Sequence, residues 1–174
     1  VTETLNAGAD GVTSSVSFSL PFNVESLVLS GSASISGTGN ALSNYIYGND
    51  GNNLLTGGDG DDTIYGNKGD DTLDGGAGVD FLYAGAGANT MTGGPNGDRY
   101  FIDATSGPTI ITDFSLVDDD RADFPSVWFA TPSAVLAAAS QAGADLIITA
   151  PTGVTTTLQN VSLSDITSDY FAVH

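Results

Sequence analysis

The sequence contains no cysteine, one histidine and only three basic residues among its 174. Without cysteine, the chain cannot form disulfides, thiolate metal sites or a thiol nucleophile. The histidine is the final residue, His174, which is a poor position for a fixed catalytic base. Zinc-ligand motifs and the G-x-S-x-G nucleophile motif are absent as well. These absences predict that the chain is not an enzyme.

The shortage of basic residues leaves a large negative charge. Lys68, Arg99 and Arg121 stand against 21 acidic residues, and the formal net charge is −18. Self-repulsion of this size opposes a compact state. Nucleic acid and anionic membranes attract Lys and Arg, so neither is expected as a partner. The composition therefore predicts a cationic partner.

Long apolar runs are missing too, since none approaches the ~20 residues of a membrane-spanning helix. No N-terminal signal peptide is visible and the chain begins at Val1, so we expect it to be a piece of a longer protein. Hydrophobic residues nevertheless make up 40% of the sequence, which argues against simple disorder.

Glycine and aspartate are abundant in one segment, residues 39–101, where they recur with a period of nine. The seven units begin at Gly39, Gly48, Gly57, Gly66, Gly75, Ala84 and Gly93. Position six of each unit is Asn44, Asn53, Asp62, Asp71, Asp80, Asn89 or Asp98. Position eight is Ile46, Leu55, Ile64, Leu73, Leu82, Met91 or Tyr100. A flexible linker has no reason to keep an apolar residue in phase, so we interpret the segment as a folded repeat.

These units resemble the RTX nonapeptide G-G-x-G-x-D-x-U-x, a calcium-binding β-roll repeat. The resemblance implies that each unit is a tight turn followed by a short strand, that two units complete one coil, and that position eight points inward. It predicts an all-β fold, a parallel β-roll with a C-terminal capping segment that contains one short helix and a β-hairpin. Glycine and asparagine tolerate positive φ, which lets a turn direct several carbonyl groups at one ion.

The resemblance also implies where calcium would bind. Turns two units apart would stack, and in the family each ion takes position-six side chains from both turns together with backbone carbonyls. The implied ligand residues are Asn44, Asn53, Gly58, Asp59, Gly60, Asp62, Asn67, Gly69, Asp71, Gly75, Gly76, Ala77, Gly78, Asp80, Asn89, Gly93, Pro95, Asp98 and Asp113. Two carboxylates meet at Asp62–Asp80 and at Asp80–Asp98, so these sites are expected to be tightest, among about four to six Ca²⁺ ions.

The last of these residues lies outside the repeat, in the segment "TIITDFSLVDDDRADF". This segment resembles the end of such rolls, where an Asp after a strand holds a final ion. Asp113, Asp120 and Asp123 are the candidates. A solvated acidic loop is an equally good interpretation.

Positions seven and nine of the repeat would point outward. They give one sheet an aromatic row at 18-residue spacing: Tyr47, Tyr65, Tyr83 and Phe101. Either flanking chain covers this row, or the row is a surface for sugar rings or another protein.

With its flanks, the chain divides into three predicted segments: leading β-coils or an N-terminal cap at 1–38, the repeats at 39–101, and a C-terminal cap at 102–174. In the cap, Thr131 and Pro132 predict the start of a helix over residues 132–142, which Gly143 would end. The stretch "ADLIITAPTGVTTTLQNV" predicts two strands around a Pro-Thr-Gly turn. The final "SDYFAVH" resembles the C-terminal export signal of the Gram-negative type I secretion route.

The resemblance predicts a secreted calcium-binding module that folds on binding extracellular Ca²⁺, outside the cell or at its surface. It would serve export and structure, and it would present a surface for interaction. Two alternatives remain open at this point. The chain could be the C-terminal module of a secreted protease, lipase or polysaccharide-modifying enzyme, or a module that binds polysaccharide or a surface layer through the aromatic row.

Overall fold

A computed structural model describes residue 8 and residues 10–174. The beginning of the predicted leading segment, residues 1–7 and residue 9, lies outside the described residues. In the described part, two sheets face each other across one core. The first is parallel throughout. In spatial order its strands are β1 (Gly11–Ser14), β3 (Ser26–Leu29), β5 (Tyr45–Tyr47), β7 (Thr63–Tyr65), β9 (Phe81–Tyr83), β11 (Arg99–Phe101), β13 (Arg121–Phe124) and β17 (Phe171–Val173).

The second sheet is parallel over most of its width and antiparallel at one end. Its strands in spatial order are β2 (Phe18–Ser19), β4 (Ser36–Thr38), β6 (Leu54–Asp59), β8 (Thr72–Ala77), β10 (Gly87–Thr92), β12 (Ser106–Ile111), β16 (Thr155–Leu158), β15 (Asp145–Thr149) and β14 (Ala139–Ala142). Successive repeat units alternate between the two sheets, so a coil is two units long. The all-β, parallel β-roll prediction is confirmed.

The three-residue strands of the repeat follow directly from the sequence period. Side chains alternate across a strand, so position eight faces inward when positions seven and nine face outward. Every position-eight side chain, from Ile46 to Tyr100, is 0% exposed. Parallel pairing without a register shift, as between Ile64 and Leu82, stacks these residues directly over one another. Each aliphatic member contributes about 1.5–3 kcal/mol by burial.

The C-terminal cap contains the predicted helix, but it is shorter than predicted. Helix α1 (Pro132–Ala137) begins as expected, with the Thr131 side chain accepting the Ala134 N–H at 3.2 Å. Residues 139–142 leave the helix and form β14, which pairs with β15 in a hairpin. Gly143, at φ +67°, lies in the two-residue turn of that hairpin instead of ending a helix. A short helix gains little on its own, whereas pairing extends the sheet, so the strand is favoured.

The structure also contains the predicted leading strands and the strands around the Pro-Thr-Gly turn. Residues 16–35 form irregular leading coils through β2 and β3, and β15 and β16 flank the predicted Pro-Thr-Gly turn. The chain ends in a 3₁₀ turn at Ser168–Tyr170 and in β17, the last strand of the first sheet. Among the described residues, no helix is long and apolar enough to span a membrane.

Candidate metal centres

The turns between strands have backbone conformations that require glycine. Gly58, at position two, has φ +121°, and Gly60, at position four, has φ +100°. Residues with a Cβ rarely adopt these values. Space is equally restrictive, because a Cβ on Gly58 would lie under 3.0 Å from the carbonyl oxygen of Asn40. A Cβ on Gly76 would meet the Gly58 carbonyl oxygen in the same way. Carbonyl groups therefore crowd the gap between stacked turns.

The carbonyl groups enter each gap from both sides. Those at positions two and four, such as Gly58 and Gly60, face the following coil, next to Gly76 and Gly78. Those at positions one and three face the preceding coil, where the Ala77 carbonyl accepts the Gly60 N–H at 2.8 Å. In the next gap the Gly93 carbonyl accepts the Gly76 N–H at 3.0 Å. Both sets of oxygens therefore face the same gap.

Position-six side chains form a ladder along one edge of the roll. The Asn44 N–H donates to Asp62 Oδ1 at 2.6 Å, and the Asp62 N–H donates to Asp80 Oδ1 at 2.7 Å. The Asp80 N–H continues the ladder to Asp98 Oδ1 at 2.8 Å. Each step spans 18 residues, one coil. One oxygen of every carboxylate is thus used by the protein itself.

The other oxygen of each carboxylate has no hydrogen-bond partner, although it is buried. This holds, within the described residues, for the Oδ2 atoms of Asp62, Asp71, Asp80 and Asp98. Each of these oxygens lies within 2.7 Å of the point that a Cβ on the position-one glycine would occupy, and at Gly57 the Gly75 carbonyl oxygen is nearly as close as the Asp62 oxygen. Buried charged oxygens without partners are costly, so the arrangement requires a cation or a proton.

The acidities of these carboxyl groups reflect this cost. Burial is the main cause in each case, and it raises the pKa of Asp62 to about 7 and that of Asp98 to about 8. The pKa values of Asp71 and Asp80 rise to about 6 for the same reason. Neighbouring carboxylates add to the effect at Asp98, where Asp120 and Asp80 are nearby. A divalent cation bound beside these carboxyl groups would lower their pKa values, because it favours the charged form.

The opposite edge carries a shorter ladder with fewer charges. The Asn53 N–H donates to Asp71 Oδ1, and the Asp71 N–H donates to Asn89 Oδ1, both at 2.8 Å. Asp71 is the carboxylate of this ladder, and its free Oδ2 lies beside the carbonyl oxygen of Ala84. This edge therefore has one gap with an unsatisfied carboxylate oxygen.

Asparagine closes the leading gaps of both edges. The Asn40 amide donates to the carbonyls of Pro21 and Val24, both at 2.8 Å, and the Asn49 amide donates to those of Ser30 and Ala33 at 3.3 and 3.0 Å. In each case a neutral N–H donor contacts carbonyl oxygens of the preceding turn.

The predicted ligands Asn44 and Asn53 lie at this end of the roll. Both side-chain oxygens accept a backbone N–H from their own turn, from Asn40 at 2.7 Å and Asn49 at 2.8 Å. Unlike the Oδ2 atoms of the aspartates, these amide oxygens have hydrogen-bond partners.

The C-terminal end of the first ladder is formed by a residue outside the repeat. Asp120 takes the next position, where its Oδ1 accepts the Asp98 N–H at 2.8 Å. Asp113 lies beside it, with both oxygens accepting the backbone N–H groups of Gly93 and Gly94 at 3.1 and 2.8 Å. The Tyr100 hydroxyl donates to Asp113 at 3.1 Å and lies 3.4 Å from Asp120 Oδ2.

Of the three candidates Asp113, Asp120 and Asp123, only Asp113 belongs to the ligand set predicted from the sequence. Asp120 continues the ladder, but it follows Asp98 by 22 residues and not 18, so the nine-residue period cannot locate it. Asp123 instead forms an ion pair with Arg99 at 2.6 Å. The buried position of Asp120 also raises its pKa to about 6.

The other predicted ligand residues lie in the same turns. Asn67 and Gly69 have φ values of +68° and +111°, and their carbonyl oxygens lie next to Gly85 and Gly87 in the following coil. The side chains of Asp59 and Pro95 are exposed. For these two residues, the backbone carbonyl would be the contributing group.

The donor set fits calcium. Among the described residues no three carboxylate or imidazole side chains converge on one point. The available donors are instead carboxylate and carbonyl oxygens, the hard ligands that Ca²⁺ prefers in flexible geometry. Mg²⁺ demands a small octahedral shell and keeps several waters, which suits a backbone-lined gap poorly.

Comparison with protein families agrees with this donor set. The family model of the RTX calcium-binding nonapeptide repeat matches residues 38–73 and 65–100, in four copies. The chain carries RTX calcium-binding repeats. RTX nonapeptide repeats are known to bind Ca²⁺. A comparison with curated proteins gave no match.

Solved structures with RTX-type rolls are similar at low identity. The extracellular lipase LipA from Serratia marcescens is 17% identical with a TM-score of 0.47, over 83% of this chain and 40% of the lipase. The AlgE6R2 subunit of the Azotobacter vinelandii mannuronan C5-epimerase is 23% identical with a TM-score of 0.37, over 80% of this chain and 91% of the subunit. The chain thus spans two fifths of the length of the lipase.

The outward aromatic row forms a continuous stack. The ring centroids of Tyr47 and Tyr65 are 4.8 Å apart, those of Tyr65 and Tyr83 4.4 Å, and those of Tyr83 and Phe101 4.2 Å. Neighbouring planes differ by 14° or less. The two middle rings therefore cover each other's faces and expose mainly their edges.

Proposed function

We propose that this chain is a non-enzymatic, secreted module whose RTX roll folds when Ca²⁺ binds between its stacked turns. The supporting observation is the set of four buried carboxylate oxygens without hydrogen-bond partners, on Asp62, Asp71, Asp80 and Asp98. Such a set is unfavourable in a compact calcium-free chain and favourable around a divalent cation. Binding free energy of the ions then becomes folding free energy.

The four orphaned oxygens correspond to four ions, one per gap. Three gaps would lie at Asp62–Asp80, Asp80–Asp98 and Asp71–Asn89. The fourth would lie at Asp98–Asp120, where Tyr100 and Asp113 adjoin. The first two each have six oxygen groups, a carboxylate pair and four carbonyls of the facing turns, and we expect them to bind most tightly. The leading gaps, closed by the Asn40 and Asn49 amides, would need no ion.

A role outside the cell follows from the same chemistry. In the low-calcium cytosol, an unfolded chain could pass through a type I export channel, and extracellular calcium would then fold it. The C-terminal "SDYFAVH", whose Phe171–Val173 becomes β17 in the roll, would be free to act as an export signal only before folding. Outside, the module would provide structure and a surface for interaction.

Calcium titration tests this proposal. In chelator, circular dichroism and hydrodynamic radius should show a disordered, expanded chain. In millimolar calcium they should show a compact, β-rich chain, and a calcium electrode should count about four bound ions. Magnesium at the same concentration should fold the chain poorly. Identical circular dichroism spectra with chelator and with calcium would contradict the proposal.

A further inference from the structure

The two ends of the aromatic stack differ. At one end, the outer face of Phe101 is occupied, with the Arg99 guanidinium 5.2 Å from the ring centroid and the His174 ring edge-on at 6.3 Å. At the other end lies Tyr47, whose ring is parallel to that of Tyr65 within 1°. Among the described residues, no other ring stacks on the far face of Tyr47.

The far face of the Tyr47 ring is open because the side chains that follow it in the same column are much shorter, which makes a step in the surface. The cross-strand neighbour of Tyr47 is Val28, and the next residue in the same column is Thr13. Both side chains are too short to cover a tyrosine ring, and Val28 is 38% exposed. A shallow cavity of about 540 Å³, largely open to solvent, lies at this step and is lined by both Val28 and Tyr47. Its size is that of a small-molecule or sugar subsite.

The rest of the cavity is lined by glycine and by polar side chains. A Cβ on Gly31 would meet nothing within 4 Å, so no other atom of the protein crowds that side. Asp50 and Asn67 provide the polar part of the lining, called the rim. Asp50 Oδ2 accepts from Lys68 Nζ at 2.9 Å, and the Asn67 amide donates to the Gly48 carbonyl at 2.7 Å. Within the described residues, the Oδ1 atoms of both rim residues accept no hydrogen bond, while Lys68 retains further N–H donors.

We propose that this cavity binds one neutral pyranose unit of a polysaccharide, stacked on the open face of Tyr47. The apolar face of a pyranose would continue the aromatic stack over Val28, at the spacing that the rings already keep. Sugar hydroxyls both donate and accept, so they match the free Oδ1 atoms of Asp50 and Asn67 and the ammonium of Lys68. The net charge of −18 and the Asp50 carboxylate disfavour uronates and sulfated sugars.

The inference deepens the proposed surface role and rests on the proposed function only in that the roll must be folded. The other rings of the aromatic row then have a supporting role. Tyr65, Tyr83 and Phe101 hold Tyr47 rigidly in place, which reduces the entropy lost on binding. Tyr47 is then the residue of the row that contacts the sugar.

A glycan array and saturation-transfer NMR in millimolar calcium test the site. The probes are neutral hexasaccharides of glucose, mannose, galactose and xylose, with oligouronates of equal length. We expect binding of at least one neutral probe and none of the uronates. Tyr47→Ala, which removes the stacking face, should weaken binding roughly tenfold. Val28→Phe, which adds a ring at the step, should block the cavity without unfolding the roll, and Tyr47→Phe should retain binding.

Tyr45→Ala is the matched control, since Tyr45 lies on the same strand, is 52% exposed and does not line the cavity. This variant should bind as the wild type does. The proposal is overturned if no neutral probe binds, if only uronates bind, or if Val28→Phe binds normally. Equal losses in Tyr45→Ala and Tyr47→Ala would overturn it as well. A chain that is β-rich even in chelator would refute the calcium switch, but the sugar test would stand unchanged.

Discussion

In the absence of calcium, acid should fold the roll. The carboxyl groups of Asp62 and Asp98 have pKa values of about 7 and 8 in the folded chain, against an ordinary value of 3.8. A group whose pKa is raised by folding binds more protons in the folded state than in the unfolded state. Stability must therefore increase as the pH falls through the window from about 8 to about 4. Lowering the pH in chelator from about 8 to about 5 should produce β-structure.

The magnitude is large compared with the stability of a domain. One pKa unit corresponds to about 1.4 kcal/mol, so ionised Asp62 alone costs the calcium-free fold roughly 4 kcal/mol at about pH 8. Asp71, Asp80 and Asp120, each with a pKa of about 6, and Asp98 add further costs. A typical domain is stable by only about 5–15 kcal/mol. The calcium-free roll should consequently be unfolded at about pH 8.

Two neighbouring variants separate this effect from general charge repulsion. Asp62→Asn keeps an oxygen for the Asn44 N–H, as Asn89 does for Asp71, but removes the buried charge. Asp61→Asn removes the same charge from an exposed side chain whose Oδ1 accepts the Val79 N–H at 2.9 Å, a bond that asparagine can also make. In chelator, Asp62→Asn should fold at a clearly higher pH than the wild type.

The assay is far-UV circular dichroism with hydrodynamic radius in chelator across this pH range, for the wild type and both variants. Asp61→Asn should shift the folding pH much less than Asp62→Asn. A wild-type chain that stays disordered or loses structure on acidification would refute the reasoning. So would equal shifts in the two variants, because general repulsion would then explain the result.

Three further substitutions, measured by denaturant unfolding in saturating calcium, test the turns and the cap. Gly58→Ala places a Cβ against a carbonyl oxygen and should lower the free energy of unfolding by several kcal/mol. Gly31→Ala, also at positive φ but in open space, should lower it by about 1 kcal/mol. Equal losses of stability in the two variants would contradict the crowding of the gap. Tyr100→Phe removes the hydroxyl donor to Asp113 and should cost about 1–3 kcal/mol; no loss would show that the bond is not needed. Phe171→Ala empties a buried position in β17 and should cost about 3 kcal/mol, and an unchanged midpoint would mean that this strand adds no stability.

Much of the roll could be predicted from the sequence because its period is local. A nine-residue unit fixes which residue turns, which faces inward and which faces outward, so Ile64 and Leu82 can be placed in the core without knowing any other contact. The same regularity places Asp62 and Asp80 on one edge. Long-range pairing adds nothing that the period does not already contain.

Features outside the period could not be predicted in the same way. The signals at Thr131 and Pro132 locate the start of the helix, but its end depends on whether residues 139–142 gain more by pairing with β15. Asp120 joins the ladder only because a loop of irregular length returns the chain to the edge. Asn40 can be assigned to a turn from the sequence. The carbonyl groups that its side-chain amide contacts cannot be predicted, because they lie in a leading coil without the repeat pattern.

The leading end and the rest of the roll solve one electrostatic problem in different ways. Stacked turns bring carbonyl oxygens together, and each gap needs a positive or hydrogen-bond-donating group. At the leading end, the asparagine amides of Asn40 and Asn49 supply neutral donors to these carbonyl groups. From Asp62 to Asp120, aspartates add negative charge instead, so those gaps close only around a cation or with protonated carboxyls. Calcium dependence is therefore concentrated in the coils from Asp62 onward, whereas the leading coils are already hydrogen-bonded without metal.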